Sequence, residues 1–277
     1  MRPLITLTTD FGLEDGYVGT VKGVMLGINP EANMVDISHG VHPQDLIQAA
    51  FIIGTSYRFF PPETVHMVVV DPRVGSQRRA IAVETPAGVF VAPDNGVLSW
   101  VVKDQLGRGR KLTGDGTFHL RGTRVRAVSL TNPKYWLSAV SRTFHARDIF
   151  GPVAAHLTKQ VPFEDLGEPI DDIVALALPQ PLKRSDGTIV GHIIYIDRFG
   201  NLITDLTPGD VEKFPGEPVF EIVGRTIVGL SRYYAERAGL LALVGSSGHI
   251  EIAVSGGNAA RELRVSKDDV VVVRAAF

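Results

Sequence analysis

The sequence predicts an N-terminal α/β domain with a largely parallel central sheet, followed by a smaller all-β, barrel-like C-terminal domain. Three observations carry this. The first ~70 residues alternate strand, helix, strand, helix, strand, the order that builds parallel sheets. A polar segment carrying Pro169, Pro179 and Pro181 then interrupts the pattern. Beyond it come short β-favouring runs separated by Gly, Pro and Asp turns.

The elements follow in order. Leu4 to Thr9 reads LITLTT, a buried strand ending at Asp10-Phe11-Gly12. Gly16 to Ile28 places Val18, Val21, Val24 and Met25 on one side and stops at Asn29-Pro30, a short helix. Met34–Ile37 is a second strand, and Leu46, Ala49, Ala50 and Ile53 stripe a second helix. Val65–Val70 is a third strand and ends at Asp71. Ligands of such sheets bind beyond the carboxyl ends of the strands, where both Asp10 and Asp71 fall. Strands at Ala80–Glu84 and Val89–Ala92 and a helix near Val97–Lys103 precede a Gly- and Arg-rich stretch, 107–124, expected as a surface loop or hairpin. A final helix over Gly151–Lys159 closes the first domain. The expected organisation is therefore 1–165, a linker over 166–187, and 188–277, with strands at Ile189–Ile196, Val219–Ile222, Leu241–Val244, Ile250–Val254 and Val270–Val273.

Composition narrows the chemistry. With 28 basic and 30 acidic residues the net charge is −2, too little field to gather nucleic acid or an anionic membrane, so a small molecule is the favoured partner. The chain has no cysteine, which removes disulfides, thiolate catalysis and cysteine-bound metals. The stretch between Arg2 and Asp10 is too short for a signal-peptide core, and no uncharged apolar run reaches the roughly 18 residues of a membrane helix. A cytoplasmic protein is expected.

Five polar clusters stand out. DPRVGSQRR at 71–79 follows an apolar strand directly; it reads either as a functional loop or as a tight turn with solvated arginines. TFHARDIF at 143–150 puts His145, Arg147 and Asp148 ahead of a helix, where Asp148 or Thr143 also suits a plain N-cap. In IDRFGNLITDL at 196–206, Phe199 suits stacking on a base and Asn201 suits the adenine edge, although a hairpin turn accounts for Gly-Asn equally. Asp10, Asp15, Asp36, His39 and His42 are the types that bind hard and borderline metals, while Asp10 alone suits a ribose diol. The glycine-rich 245–260 stretch, with Ser246 and Ser247, fits either a backbone nest for a carboxylate or two ordinary turns.

Jointly, the strings TTDFG (8–12), DGYVGTVKG (15–23), DPRVGSQRR (71–79), APDNGVL (92–98), TFHARDIF (143–150), DRFGNLITD (197–205) and SSGHIEIAV (246–254) resemble the SAM hydroxide adenosyltransferases. These adenosyl-forming S-adenosylmethionine (SAM) hydrolases are sisters of the bacterial fluorinase and chlorinase. The resemblance implies an α/β domain joined to a β-barrel, a homotrimer with SAM held between subunits, and no cofactor or metal. It places the family's Asp-Arg-His triad on Asp71, Arg78 and His145, a ribose contact on Asp10, adenine contacts on Phe199 and Asn201, and adenine or methionine contacts on Ser246 and Ser247. One departure is Ala146, where the family often has glycine after the triad histidine.

The implied reaction is nucleophilic substitution by water at the ribose C5′, giving adenosine and methionine. Departure of methionine converts a sulfonium cation into a neutral thioether, so positioning an oxygen in line with the C5′–S bond is the main demand. Arg78 is expected to polarise the water, with Asp71 and His145 orienting it and taking its proton in an order the sequence leaves open. Three alternatives stand beside it: a halogenase on the same scaffold, a metal-dependent phosphoesterase using Asp10, Asp15, His39 and His42, and a SAM- or adenosine-binding protein without turnover. A carboxylate at Asp71 would repel a halide, and the fluorinase has tyrosine at that place.

Overall fold

The structure, a computed structural model, describes residues 3–107 and 116–276. It divides into two compact units, Met1–Leu178 and Pro179–Phe277.

In the first unit the chain runs β1 (Leu4–Thr9), α1 (Tyr17–Ile28), β2 (Asn33–Ser38), α2 (Leu46–Ser56), β3 (Val65–Val69), β4 (Ala80–Thr85), β5 (Gly88–Pro93), α3 (Ser99–Leu106), β6 (Thr117–His119), β7 (Arg126–Ser129), α4 (Gly151–Leu157), β8 (Glu168–Ile170) and β9 (Asp172–Val174). Seven strands form one sheet in the order β2-β1-β3-β5-β4-β7-β8. The first four are mutually parallel, and β4, β7 and β8 each pair antiparallel with their neighbours.

Strand periodicity explains why both faces are covered. On β3, Val65, Met67 and Val69 enter a core with Val21 and Met25 of α1 and Val153 of α4. The alternate residues Val68 and Val70 join Ala49 and Ile53 of α2 and Val101 of α3 on the other face. Asp45 fixes the start of α2 by accepting the Gln48 amide at 2.9 Å. From β1 the chain goes to β2 on one side, then crosses to β3 on the other. That reversal opens a crevice outside the carboxyl ends of β1 and β3.

The division between the units falls after Leu178, inside the 166–187 stretch expected as a linker, and that stretch also carries β8 and β9. Of the stretch 107–124, residues 108–115 lie outside the described residues, and β6 pairs with β9 instead of making a local hairpin.

The second unit contains β10 (Leu182–Lys183), β11 (Ile189–Ile196), β12 (Leu202–Thr204), α5 (Pro208–Val211), β13 (Pro218–Ile222), β14 (Arg225–Val228), β15 (Leu240–Val244), β16 (Ile250–Val254), α6 (Ala259–Leu263) and β17 (Val270–Ala275). The sheet order is β14-β13-β17-β11-β12-β16-β15, with β10 added beside β11. All pairings between these strands are antiparallel. β11 pairs with β17 through Ile189–His192 and with β12 from Ile193 onward, where the register shifts. The terminal strands β14 and β15 touch, so the sheet nearly closes around Ile193, Leu202, Phe220, Ile252 and Val271. Among the described residues no helix is long and apolar enough to cross a membrane.

Candidate active site

Asp71 is two residues beyond the last residue of β3, and Arg78 lies at the far end of the same loop, ahead of β4. Arg78 Nε donates to both Asp71 carboxylate oxygens, at 3.1 and 3.0 Å, and its Nη2 also bonds Oδ2. Both side chains are only 6% exposed. The guanidinium rests over the Phe150 ring, 5.3 Å from its centroid.

His145 reaches this pair from a separate segment. It precedes a π-helical turn, Ala146–Phe150, that leads straight into α4. Arg78 Nη2 and His145 Nδ1 are 2.8 Å apart. Burial holds the imidazole pKa below its usual value, and the charge of Arg78 adds to this, against opposing contributions from Asp71, the Ser141 carbonyl and Asp148.

Two devices bring the loops together. Gly75 has φ +77°, and a β-carbon there would overlap the carbonyl oxygen of Arg142, so the 71–79 loop lies directly on the segment preceding His145. Asp148, fully buried, accepts the Ser141 amide at 2.8 Å and pairs with Arg147 at 2.6 Å. It therefore ties down the 141–145 segment from below; neither it nor Thr143 makes the N-cap hydrogen bond that the sequence suggested.

The cavity beside this cluster has a volume of ≈ 250 Å³ and is lined by Asp10, Phe11, Gln44, Asp71, Phe144 and His145 among others. Asp10 is the first residue after β1, and its Oδ2 accepts the Gln44 amide at 2.8 Å. Phe11, Tyr17 and Phe144 form an aromatic wall, with Tyr17 and Phe144 meeting edge to face at 5.2 Å between centroids. Ala146 is buried and faces the same cavity. Sequence reasoning missed Gln44, Phe11 and Phe144 as lining residues. Phe144 stood inside a recognised string, whereas Gln44 carried no signal of its own.

The metal alternative meets a different arrangement. His39 is engaged by Thr9 Oγ1 at 2.8 Å and has Asp36 at 3.1 Å, while Asp36 pairs with Lys22 at 2.6 Å. Among the described residues no three His, Asp or Glu side chains gather as ligands for an ion.

In the second unit, Asp197 organises a tight turn. Its Oδ1 accepts the amides of Phe199 and Asn201, and its Oδ2 accepts from the Asn201 side chain, each at 2.9 Å. Phe199 projects its ring outward at 74% exposure, and Asn201 is buried. Ser246 and Ser247 occupy the turn between β15 and β16, closed by Gly245 and His249 at 2.9 Å, so this part of the glycine-rich stretch is a hairpin. The first unit thus unites Asp71, Arg78 and His145 and sets Asp10 on their cavity. The second holds Phe199, Asn201, Ser246 and Ser247 on two turns of its barrel.

A switch-point crevice with a half-buried Asp–Arg–His cluster on it defines an α/β protein with a polar site at the carboxyl edge of its sheet. Comparison with known proteins narrows this. The sequence matches the SAM hydroxide adenosyltransferase N-terminal domain over residues 5–167 and the C-terminal domain over residues 191–272, so the chain belongs to that family. It is 36% identical over 276 residues to the (R)-S-adenosyl-L-methionine hydrolase of Salinispora arenicola (strain CNS-205), covering 99% of this chain and 98% of that one. The Fluorinase of Actinoplanes sp. (strain N902-109) is more distant, at 29% identity over 76% of this chain and 74% of its own length. Among solved structures, an uncharacterized conserved protein from Thermotoga maritima superposes with TM-score 0.83 at 31% identity, covering 97% of this chain and 99% of that one.

Proposed function

We propose that this enzyme hydrolyses S-adenosyl-L-methionine at the ribose C5′, releasing adenosine and L-methionine. The observation that carries the reading is the junction of Arg78 with both Asp71 and His145 on a cavity shared with Asp10, in a chain whose full-length relatives are named for this hydrolysis.

Asp10 binds the ribose hydroxyls through its free carboxylate oxygen. A water held beside Asp71 attacks C5′ in line with sulfur. Its oxygen forms the new C–O bond, and the C–S bond pair stays on methionine, which leaves as a neutral thioether needing no acid. The guanidinium only donates, so Nδ1 of His145 accepts and the neutral ring carries its proton on Nε2. The imidazole thereby holds the guanidinium in place beside the nucleophile, and Asp71 receives the water proton. Arg78 stabilises the hydroxide-like oxygen as it develops. No metal or cofactor takes part, because neither the leaving group nor the nucleophile requires a Lewis acid.

Phe199 offers a face for adenine, and Asn201 retains hydrogen-bonding capacity beyond its bond to Asp197. Ser246 and Ser247 serve the adenine or methionine end. The family resemblance supports a homotrimer, which light scattering would register as three times the chain mass.

Incubation with each sulfur epimer of SAM, with and without chloride or fluoride, followed by chromatography tests the reading. The expected products are adenosine and methionine, formed faster from the R epimer and unaffected by EDTA. Formation of 5′-halo-adenosine would overturn hydrolysis in favour of halogenation, and binding without release of adenosine would leave only a SAM-binding protein.

A further inference from the structure

The string APDNGVL at 92–98 takes no part in the chemistry above, yet it meets both ends of the loop that carries Asp71 and Arg78. The sheet order explains how. That loop leaves β3 and returns to β4, and β5 lies between those two strands. The residues following β5 therefore pass between the two feet of the loop.

Each foot is held by a specific bond. Asn95 Nδ2 donates to the Val70 carbonyl, immediately before Asp71, at 2.8 Å. At the other foot the Asp94 amide donates to the Arg79 carbonyl at 3.0 Å, and the Asp94 carboxylate accepts from Arg79 Nε at 2.7 Å. Arg79 is anchored further by Asp172, through its carboxylate and its carbonyl, the latter at 3.0 Å. The Asp94 side chain is 2% exposed, and its other oxygen accepts the Val174 amide at 2.8 Å. Both oxygens of Asp94 are thus engaged, and Asn95 follows it directly in the chain.

We propose that Asn95, braced by Asp94, is a positioning residue that sets the separation and orientation of the Asp71–Arg78 pair for attack on C5′. It touches Asp71 only through the Val70 carbonyl, so its effect belongs to the chemical step and not to substrate affinity. The inference rests on the roles given above to Asp71 and Arg78.

The discriminating variant is Asn95→Asp. It keeps the oxygen that accepts the Val97 amide at 3.1 Å, and so keeps the turn, but replaces the donor facing Val70 with an acceptor. A misplacement of a fraction of an ångström at the reacting groups costs about tenfold to a hundredfold in rate. The expected result is a kcat lower by about that factor, with KM for SAM within about twofold and a folded protein by thermal melt. Arg126→Ala, which removes the exposed pairs with Glu84 and Glu164 on the same sheet, should leave kcat unchanged and calibrates any general loosening. An Asn95→Asp enzyme with wild-type kcat would overturn the proposal. So would a kcat loss no greater than the loss of folded protein, or a loss expressed in KM alone. Asp71→Ala measured alongside separates the two levels: if that variant keeps turnover, the roles assigned to the cluster fail. If it is inactive while Asn95→Asp is normal, only the positioning role fails.

Discussion

Nδ1 of His145 accepts a hydrogen bond from Nη2 of Arg78 at 2.8 Å, a contact that exists only while that nitrogen is unprotonated. Imidazolium formation breaks it and sets two cations side by side. Because burial and Arg78 hold the His145 pKa below 6.5, the active form should persist into mildly acidic solution. We expect kcat/KM to be flat at neutral pH and to fall as pH drops through an apparent pKa below 6.5. A pH–rate profile measures this, and a limb at or above 6.5 would contradict the environment described for the ring.

Arg78 makes a forked pairing with Asp71 and a further bond to His145 from one planar group. A lysine ammonium retains the charge but cannot hold both partners in that geometry. Arg78→Lys should therefore lower kcat by about 100-fold with a smaller change in KM. Steady-state kinetics with SAM decide it: a kinetically normal variant would show that charge alone suffices.

Gly75 is where the 71–79 loop comes into backbone contact with the segment preceding His145, at a φ of +77°. Gly75→Ala adds left-handed strain of about 1 kcal/mol and pushes the Arg142 segment away. We expect a modest fall in melting temperature and a disproportionate loss of turnover, about tenfold or more, because His145 moves relative to Arg78. Equal loss in both measurements would mean that the contact serves stability alone.

His66 lies fully buried on β3, stacked on Phe90 at 4.7 Å, with Thr6 on its Nδ1 at 2.7 Å, and burial pushes its pKa down to about 4. The unfolded chain takes up this proton near 6.5, before the folded protein does. The stability it contributes is complete above that pH and is lost as pH falls toward 4, a span worth about 3 kcal/mol. Denaturant melts between pH 7 and 4 should show this slope, and His66→Gln should flatten it.

Much of the fold was legible because periodicity and punctuation act locally. The alternating residues of Val65–Val70 and the Asn29-Pro30 stop marked their elements without reference to the rest of the chain. Asp10, Asp71 and His145 were legible as strand-end and helix-start residues within recognisable strings. The short strands β8, β9 and β12 were not, since three residues carry no period and are held by partners distant in sequence. Asn95 stood inside the string APDNGVL, but its contact was not legible, because its partner Val70 is 25 residues away and is met only through sheet order.

The sequence by itself determined the sheet-forming and helix-forming segments, the absence of thiol chemistry and the family strings that name the reaction class. Tertiary structure alone decided that Arg78 joins Asp71 to His145, that Gly75 lies on Arg142, and that the residues after β5 pass between the feet of the 71–79 loop. The physical reason is that periodicity and capping are settled between neighbours along the chain. The distance and orientation between groups 67 residues apart are set by strand order and close packing, which no local pattern encodes.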